Sequence, residues 1–165
     1  DYIYPEQPTA VSATGISHVE GGTEDVAYLT LFYESQMVSH IHVNWLSPVK
    51  IRRTLIGGSQ KMVVFDDLEP SEKIKIYDRG INVKRVPEGI NKIYKLLIDY
   101  RSGDMWAPRI HQSEALQVEA NHFIDCIENR TTPIANGESG LRVVRILDAA
   151  SESMRNKGKP IALIN

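Results

Sequence analysis

The alternation of apolar and polar positions divides this chain into strands first and helices afterwards. The run TAVSATGISHV, Thr9 to Val19, is rich in β-branched residues and alternates loosely before the turn signal Glu20-Gly21-Gly22, which predicts a first strand. Val26 to Tyr33 is apolar on both alternations, the pattern of a central strand covered on two faces. Met37 to Trp45 separates more cleanly. Met37, Ile41, Val43 and Trp45 fall on one side and His40, His42 and Asn44 on the other, predicting one core face and one polar face. Leu46-Ser47-Pro48-Val49-Lys50 breaks the pattern. Ile51 to Ile56 and Lys61 to Phe65 then resume it as a hairpin pair, with Gly57-Gly58 able to take the positive φ of a tight turn. Lys73 to Tyr77 predicts a strand near an edge, Ile74 and Ile76 inward, Lys73 and Lys75 outward. From 81 to 112 the signals are mixed, and they support a short strand at Val83 to Val86 and an extended piece at Leu97 to Arg101.

The period then changes to that of a helix. Ser113 can cap a first helix with Glu114 in its first turn, and Leu116, Ala120, Phe123 and Ile127 share one face. A second helix starts after Asn136-Gly137, carries Glu138 near its start, places Val143, Ile146 and Ala150 on one side, and ends at Lys157-Gly158-Lys159-Pro160. Ile161 to Ile164 adds a last short strand. Strands followed by helices argue for an α+β fold: an open-faced, mostly antiparallel or mixed sheet of about six strands, with the helices packed on one face and residues 1–165 forming one domain. Tyr28, Thr30, His40, His42 and Asn44 then line the open face. That face is either solvated or paired with the same sheet of a second copy through a two-fold axis, and the aromatic and apolar side chains along these strands favour pairing.

With 165 residues, 42% of them hydrophobic, the chain can bury a core without staples. Nineteen basic against 21 acidic residues leave a formal charge of −2, which argues against a nucleic-acid partner. The single cysteine, Cys126, provides no disulfide framework and predicts a reduced, cytoplasmic setting, in which the sequon Asn129-Arg130-Thr131 is coincidental. No apolar run approaches the ~20 residues of a membrane span, and no signal-peptide pattern opens the chain, so no membrane role is expected. Asp1-Tyr2-Ile3-Tyr4 reads as the last turn of a helix ended by Pro5 and Pro8, which predicts a fragment of a longer protein.

Candidate chemistry is sparse. His40 and His42, at i and i+2 on a strand, point to one side and could hold a metal; no third ligand is near in sequence, which favours structural or interface histidines. His122 and Cys126, at i and i+4 on a helix, allow a thiolate–imidazole pair or a packed helix face, and the lack of an orienting acid favours the second. No Gly-x-Ser-x-Gly, P-loop, His-Glu-x-x-His or Gly-x-Gly-x-x-Gly pattern occurs. Two clusters remain. Trp45, Ser47, Lys50, Arg52 and Arg53 lie on one strand connection, a set that suits a sugar whose ring stacks on an aromatic while hydroxyls, phosphate or carboxylate meet donors; a solvated basic loop is the alternative. Tyr100-Arg101-Ser102-Gly103-Asp104-Met105-Trp106 sets a cation and a carboxylate around a permissive glycine, in a binding or a turn role.

HIHVNWLSPVKIRR, KMVVFDD, YRSGD with Pro108 after it, and HFIDCI followed by GESGLRVVRIL resemble, in order and spacing, the C-terminal domain of the Gfo/Idh/MocA oxidoreductases. They are most similar to the branch acting on UDP-N-acetylglucosamine and UDP-N-acetylglucosaminuronate at the 3 position. The resemblance implies a substrate-binding and oligomerisation domain of an NAD- or NADP-dependent sugar dehydrogenase. The nicotinamide cofactor and the proton-relaying lysine of a Glu-Lys-Pro motif belong to an N-terminal Rossmann domain, and the family's Asp-x-x-x-His segment is also missing, so no catalytic residue is carried over. The resemblance places Trp45, Ser47, Lys50, Arg52, Tyr100 and Arg101 against a sugar or nucleotide-sugar substrate, Arg52 and Arg101 at anionic groups. It further implies an inactive isolated fragment, an active full-length enzyme, and a homodimer or homotetramer built through the open face. A free polyol or inositol-like substrate, or a non-catalytic association module, are the competing expectations.

Overall fold

The computed structural model describes residues 2–86, 95–111 and 113–163, with backbone for 81–86 and 95–101. The chain divides into two compact units, one formed by 1–48 with 115–165 and the other by 49–114.

In the first unit, β1 (Ala10–Ile16), β2 (Val26–Phe32), β3 (Val38–Asn44) and β10 (Ile161–Ala162) form an antiparallel sheet in the order β10-β1-β2-β3. β2 is an interior strand, as its apolar content predicts. Helix α2 (Gly137–Arg155) lies over β1 and β10. Its seat is built from small residues, with Ala149, Ala150 and Ser153 buried against Val11, Ala13 and Leu31 and with Leu29 and Ile146 packed beside them. Small side chains let helix and sheet approach closely, and burying a residue such as Leu31 stabilises by about 1.5–3 kcal/mol. Ser153 Oγ accepts the N–H of Ala13 at 2.9 Å and donates to the carbonyl of Lys159 at 2.6 Å, so the buried hydroxyl is satisfied and ties helix, strand and the following turn together.

Both ends of α2 follow its sequence signals. The Asn136 side chain accepts the Ser139 N–H at 2.9 Å, and Glu138 stands in the first turn. At the other end Gly158 N–H reaches Ser153 O at 2.8 Å and Lys157 N–H reaches Met154 O at 3.2 Å, a Schellman arrangement with φ of 57° at Lys157 and 81° at Gly158. A Cβ on Gly158 would lie 2.9 Å from Thr14 Cγ2, so this turn requires glycine twice over, for its φ and for its contact.

Several expectations are corrected here. β2 is covered on one face, not two: Leu31 is buried, whereas Tyr28 on the opposite alternation is 56% exposed. The expected core face of β3 is open as well, with Ile41, Val43 and Trp45 exposed, because α2 sits over β1 at the other side of the sheet. Val143 of α2 is exposed, and the stripe facing the sheet runs through Ile146, Ala149, Ala150 and Ser153. Helix α1 (Ala115–Asn129) starts after Glu114, two residues beyond the expected Ser113 cap, and leaves Leu116, Phe123 and Ile127 exposed while burying Cys126. Tyr2 to Tyr4 is not helical; Tyr4 instead meets Tyr33 edge-to-face at 5.6 Å.

The second unit holds β4 (Arg53–Gly57), β5 (Met62–Asp66), β6 (Ile74–Tyr77) and β9 (Met105–Trp106) in one antiparallel sheet, and β7 (Gly80–Val86) with β8 (Lys95–Arg101) as a two-stranded ribbon. The predicted β4–β5 hairpin is present, closed by Gly58 N–H to Lys61 O at 2.9 Å. Neither Gly57 nor Gly58 takes positive φ, because the connection spans 58–61 and is longer than the two-residue turn that would demand it. β6 lies one strand from the edge that β9 occupies.

Candidate functional site

In the first unit, the end of the sheet where Ile16, Val26 and Asn44 stand in register carries the first predicted site residues. Asn44 Oδ1 accepts the Leu46 N–H at 2.8 Å, turning the chain out of β3, and the Trp45 N–H donates to Asp25 O at 2.7 Å. The indole of Trp45 is 88% exposed, a free aromatic surface held at its root by the backbone. Ser47 follows on the same connection.

Beside them is a pair that periodicity could not reveal. Asp25 is 8% exposed, and its carboxylate accepts the His18 N–H at 2.7 Å, the Val19 N–H at 3.3 Å and the His18 ring Nδ1 at 2.7 Å. The hydrogen bond from His18, supported by the backbone donors, holds the Asp25 carboxyl below the usual carboxylate range. A charged residue between a turn and an apolar strand was the available signal, but its partner lies seven residues away across a loop.

On the open face, Tyr28 stacks on His42 with centroids 4.5 Å apart and an interplanar angle of 5°, and Thr30 Oγ1 lies 3.1 Å from His40 Nδ1. The five predicted residues of this face do share it, paired in register across β2 and β3. Each of the two histidines is engaged with its cross-strand neighbour, and no cluster of three or more His, Cys, Asp or Glu side chains suited to a metal occurs among the described residues.

His122 and Cys126 are within reach, with Sγ 3.6 Å from Nε2. Nε2 also accepts the Ile134 N–H at 3.1 Å, which puts the imidazole proton on Nδ1, and the thiol is buried. This is a helix face closing over its following loop rather than an activated nucleophile.

In the second unit, Lys50 is exposed and Arg52 is engaged, its Nη1 3.4 Å from Asp67 Oδ2. Asp67 also receives Lys73 Nζ at 3.3 Å, and Arg53 binds Asp66 through Nε at 3.0 Å and Nη2 at 2.7 Å. Lys73 first, then Arg52, depresses the Asp67 pKa; Arg53 does the same for Asp66. Two of the three loop cations, Arg52 and Arg53, are therefore answered by carboxylates opposite them in the β4–β5 register. Tyr100 and Arg101 end β8, paired with Ile81 and Gly80; their side chains lie outside the described residues. Gly103 serves close approach rather than conformational freedom, since a Cβ there would run into the carbonyl oxygen of Asp78, whose own N–H bonds Asp104 O at 2.8 Å. Trp106, at the end of the Tyr100–Trp106 cluster, has Lys61 Nζ 5.0 Å above its ring. Trp45 and Ser47 thus belong to one unit, and Lys50, Arg52, Tyr100 and Arg101 to the other.

The described strand pairs are all antiparallel, so the described residues do not form the parallel strand–helix–strand unit that receives a dinucleotide pyrophosphate. No described helix is long and apolar enough to cross a membrane.

Comparison with known proteins gives the architecture a context. No curated protein sequence matches the chain. Among solved structures, an aldose-aldose oxidoreductase from Caulobacter crescentus, complexed with glycerol, is similar over 98% of this chain and 43% of its own, at 18% identity and a TM-score of 0.68. A UDP-N-acetylglucosamine 3-dehydrogenase from Acidithiobacillus ferrooxidans is similar over 91% and 40%, at 17% identity and a TM-score of 0.63. A levoglucosan dehydrogenase in complex with NADH and L-sorbose is similar over 96% and 45%, at 13% identity and a TM-score of 0.67. The chain spans less than half the length of each. At these identities the likeness establishes the fold. A family model described as the C-terminal alpha/beta domain of the oxidoreductase family matches residues 2–163, and on that match the chain belongs to the Gfo/Idh/MocA oxidoreductases as their C-terminal domain.

Proposed function

We propose that this domain forms the substrate wall and association plate of an NAD(P)-dependent, cytoplasmic sugar dehydrogenase that oxidises a secondary hydroxyl of a nucleotide-linked sugar. The observation that carries the reading is the match of the oxidoreductase C-terminal domain to nearly the whole chain. A nicotinamide held by an N-terminal domain would supply the hydride acceptor; the present residues orient the sugar. Trp45 supplies a stacking surface, Ser47, Lys50 and Tyr100 supply donors, and Arg52 and Arg101 meet anionic groups. The similarity to a UDP-N-acetylglucosamine 3-dehydrogenase supports the nucleotide-sugar class. The open sheet face, with its stacked Tyr28 and His42, suits a second copy in a homodimer or homotetramer.

A free polyol or monosaccharide is the second reading, and one observation favours it: Asp67 already answers the charge of Arg52, leaving less cation for a diphosphate. Reduction of NAD and NADP by the full-length protein, measured across UDP-sugars and free polyols, decides between them. In the same protein Arg52→Ala and Arg101→Ala should each weaken nucleotide-sugar binding by about 1.5–3 kcal/mol, seen as a raised KM. An unchanged KM in both variants removes these residues from the site. The 165 residues alone should reduce neither cofactor, and turnover by them would refute the assignment of the reactive centre to another domain.

A further inference from the structure

We infer that His18 is a ligand-binding residue: Asp25, which also receives the Trp45 N–H at one end of the first sheet, orients the imidazole, and its Nε2 bonds a hydroxyl of a carbohydrate ring. The inference rests on the proposed sugar-binding role and adds to it a residue and a recognition mode that the family match does not supply.

Three observations converge on one residue. Asp25 precedes β2 directly, and its main-chain carbonyl receives the Trp45 N–H at 2.7 Å while its carboxylate receives His18 Nδ1 at 2.7 Å. The first residue of the Trp45 connection and the imidazole therefore hang from the same buried anchor. Because an ionised carboxylate can only accept, the Nδ1 that faces it carries a proton, and the ring is held in one orientation. Nε2 has no hydrogen-bond partner among the described residues, and the side chain is 55% exposed. An exposed imidazole oriented by a carboxylate offers one ring nitrogen in a fixed direction. An indole offers an apolar plane. A sugar presents both complements, hydroxyls at the rim and C–H groups on the ring face.

The competing account is a loop lock, in which Asp25 braces residues 17–25 and His18 merely satisfies it. His18→Asn separates the two. The asparagine amide N–H stands where Nδ1–H stood, so the lock persists, but nothing replaces Nε2. In the full-length protein we expect His18→Asn to raise KM for the preferred sugar about tenfold, the loss of one hydrogen bond to an oriented group, with kcat and the thermal midpoint little changed. A KM equal to that of the wild type overturns the inference and leaves the dehydrogenase reading standing. Should the wild type oxidise no sugar, the dehydrogenase reading fails separately. Calorimetric titration of the protein with UDP-N-acetylglucosamine and with inositol then decides: binding that His18→Asn weakens about tenfold supports the inference, and binding equal in both proteins, or absent from the one that retains His18, overturns it.

Discussion

The two helices begin from similar sequence patterns and end in different circumstances. Both α1 and α2 are amphipathic, yet α2 buries Ala149, Ala150 and Ser153 against β1, whereas α1 keeps Phe123 59% exposed and lines a shallow groove of about 310 Å³ with Leu116, Phe123 and Pro133. Both helices carry large apolar side chains that stay exposed, Leu141 and Leu147 on α2 as well as Leu116 and Phe123 on α1, and what distinguishes α2 is its stripe of small residues. A helical stripe thus declares that a face exists, while the size of its residues determines how closely a sheet can come. Small residues seat α2 against β1, whereas α1 has no such stripe and buries only Cys126.

Substitutions on either side of that contrast should behave unequally. Leu31→Ala, under α2, should destabilise by about 2–5 kcal/mol in chemical denaturation, because its neighbours cannot collapse into the space. Ser153→Ala should cost about 1–3 kcal/mol, since the Ala13 N–H and the Lys159 carbonyl lose their buried partner. Gly158→Ala should cost about 1–2 kcal/mol through its left-handed φ, with the Thr14 contact adding to it. Phe123→Ala on α1 should change stability by about 0.5 kcal/mol or less. A loss from Phe123→Ala as large as that from Leu31→Ala would erase the distinction between the two helices.

Acid provides a finer test, placed away from both helices. The Asp66 and Asp67 pKa values are depressed by Arg53 and Lys73 respectively, so their contribution is complete above the ordinary aspartate range, about 3.9, and is lost as pH falls through the lower folded values. Asp66→Asn should flatten the acid limb of a stability–pH curve, and an unaltered limb would show the pair to be inert in a solvated setting.

Much of the fold was legible because strand and helix periods are local. The strands at 10–16, 26–32 and 38–44, the β4–β5 hairpin, and the Asn136 and Gly158 ends of α2 follow from side-chain direction and turn chemistry. The site was less legible. Trp45 could be singled out as an aromatic on a strand connection, but the neutralisation of Arg52 by Asp67 depends on β4–β5 register. The tie from His18 to Asp25 depends on how a loop folds back, and neither arrangement has a period to betray it.

What the sequence determined by itself was the order and kind of most elements, because alternation and capping act between neighbours a few residues apart, and, through the order and spacing of its motifs, the resemblance to the family. Tertiary structure decided which of those faces found cover: α2 lies over β1 and leaves Ile41 and Val43 of β3 open, although their pattern is as apolar. It also decided which charges meet and why Gly103 must be glycine, with Asp78 pressed against it. Those outcomes rest on contacts between residues distant along the chain, where position in space, and not residue type, sets the partner.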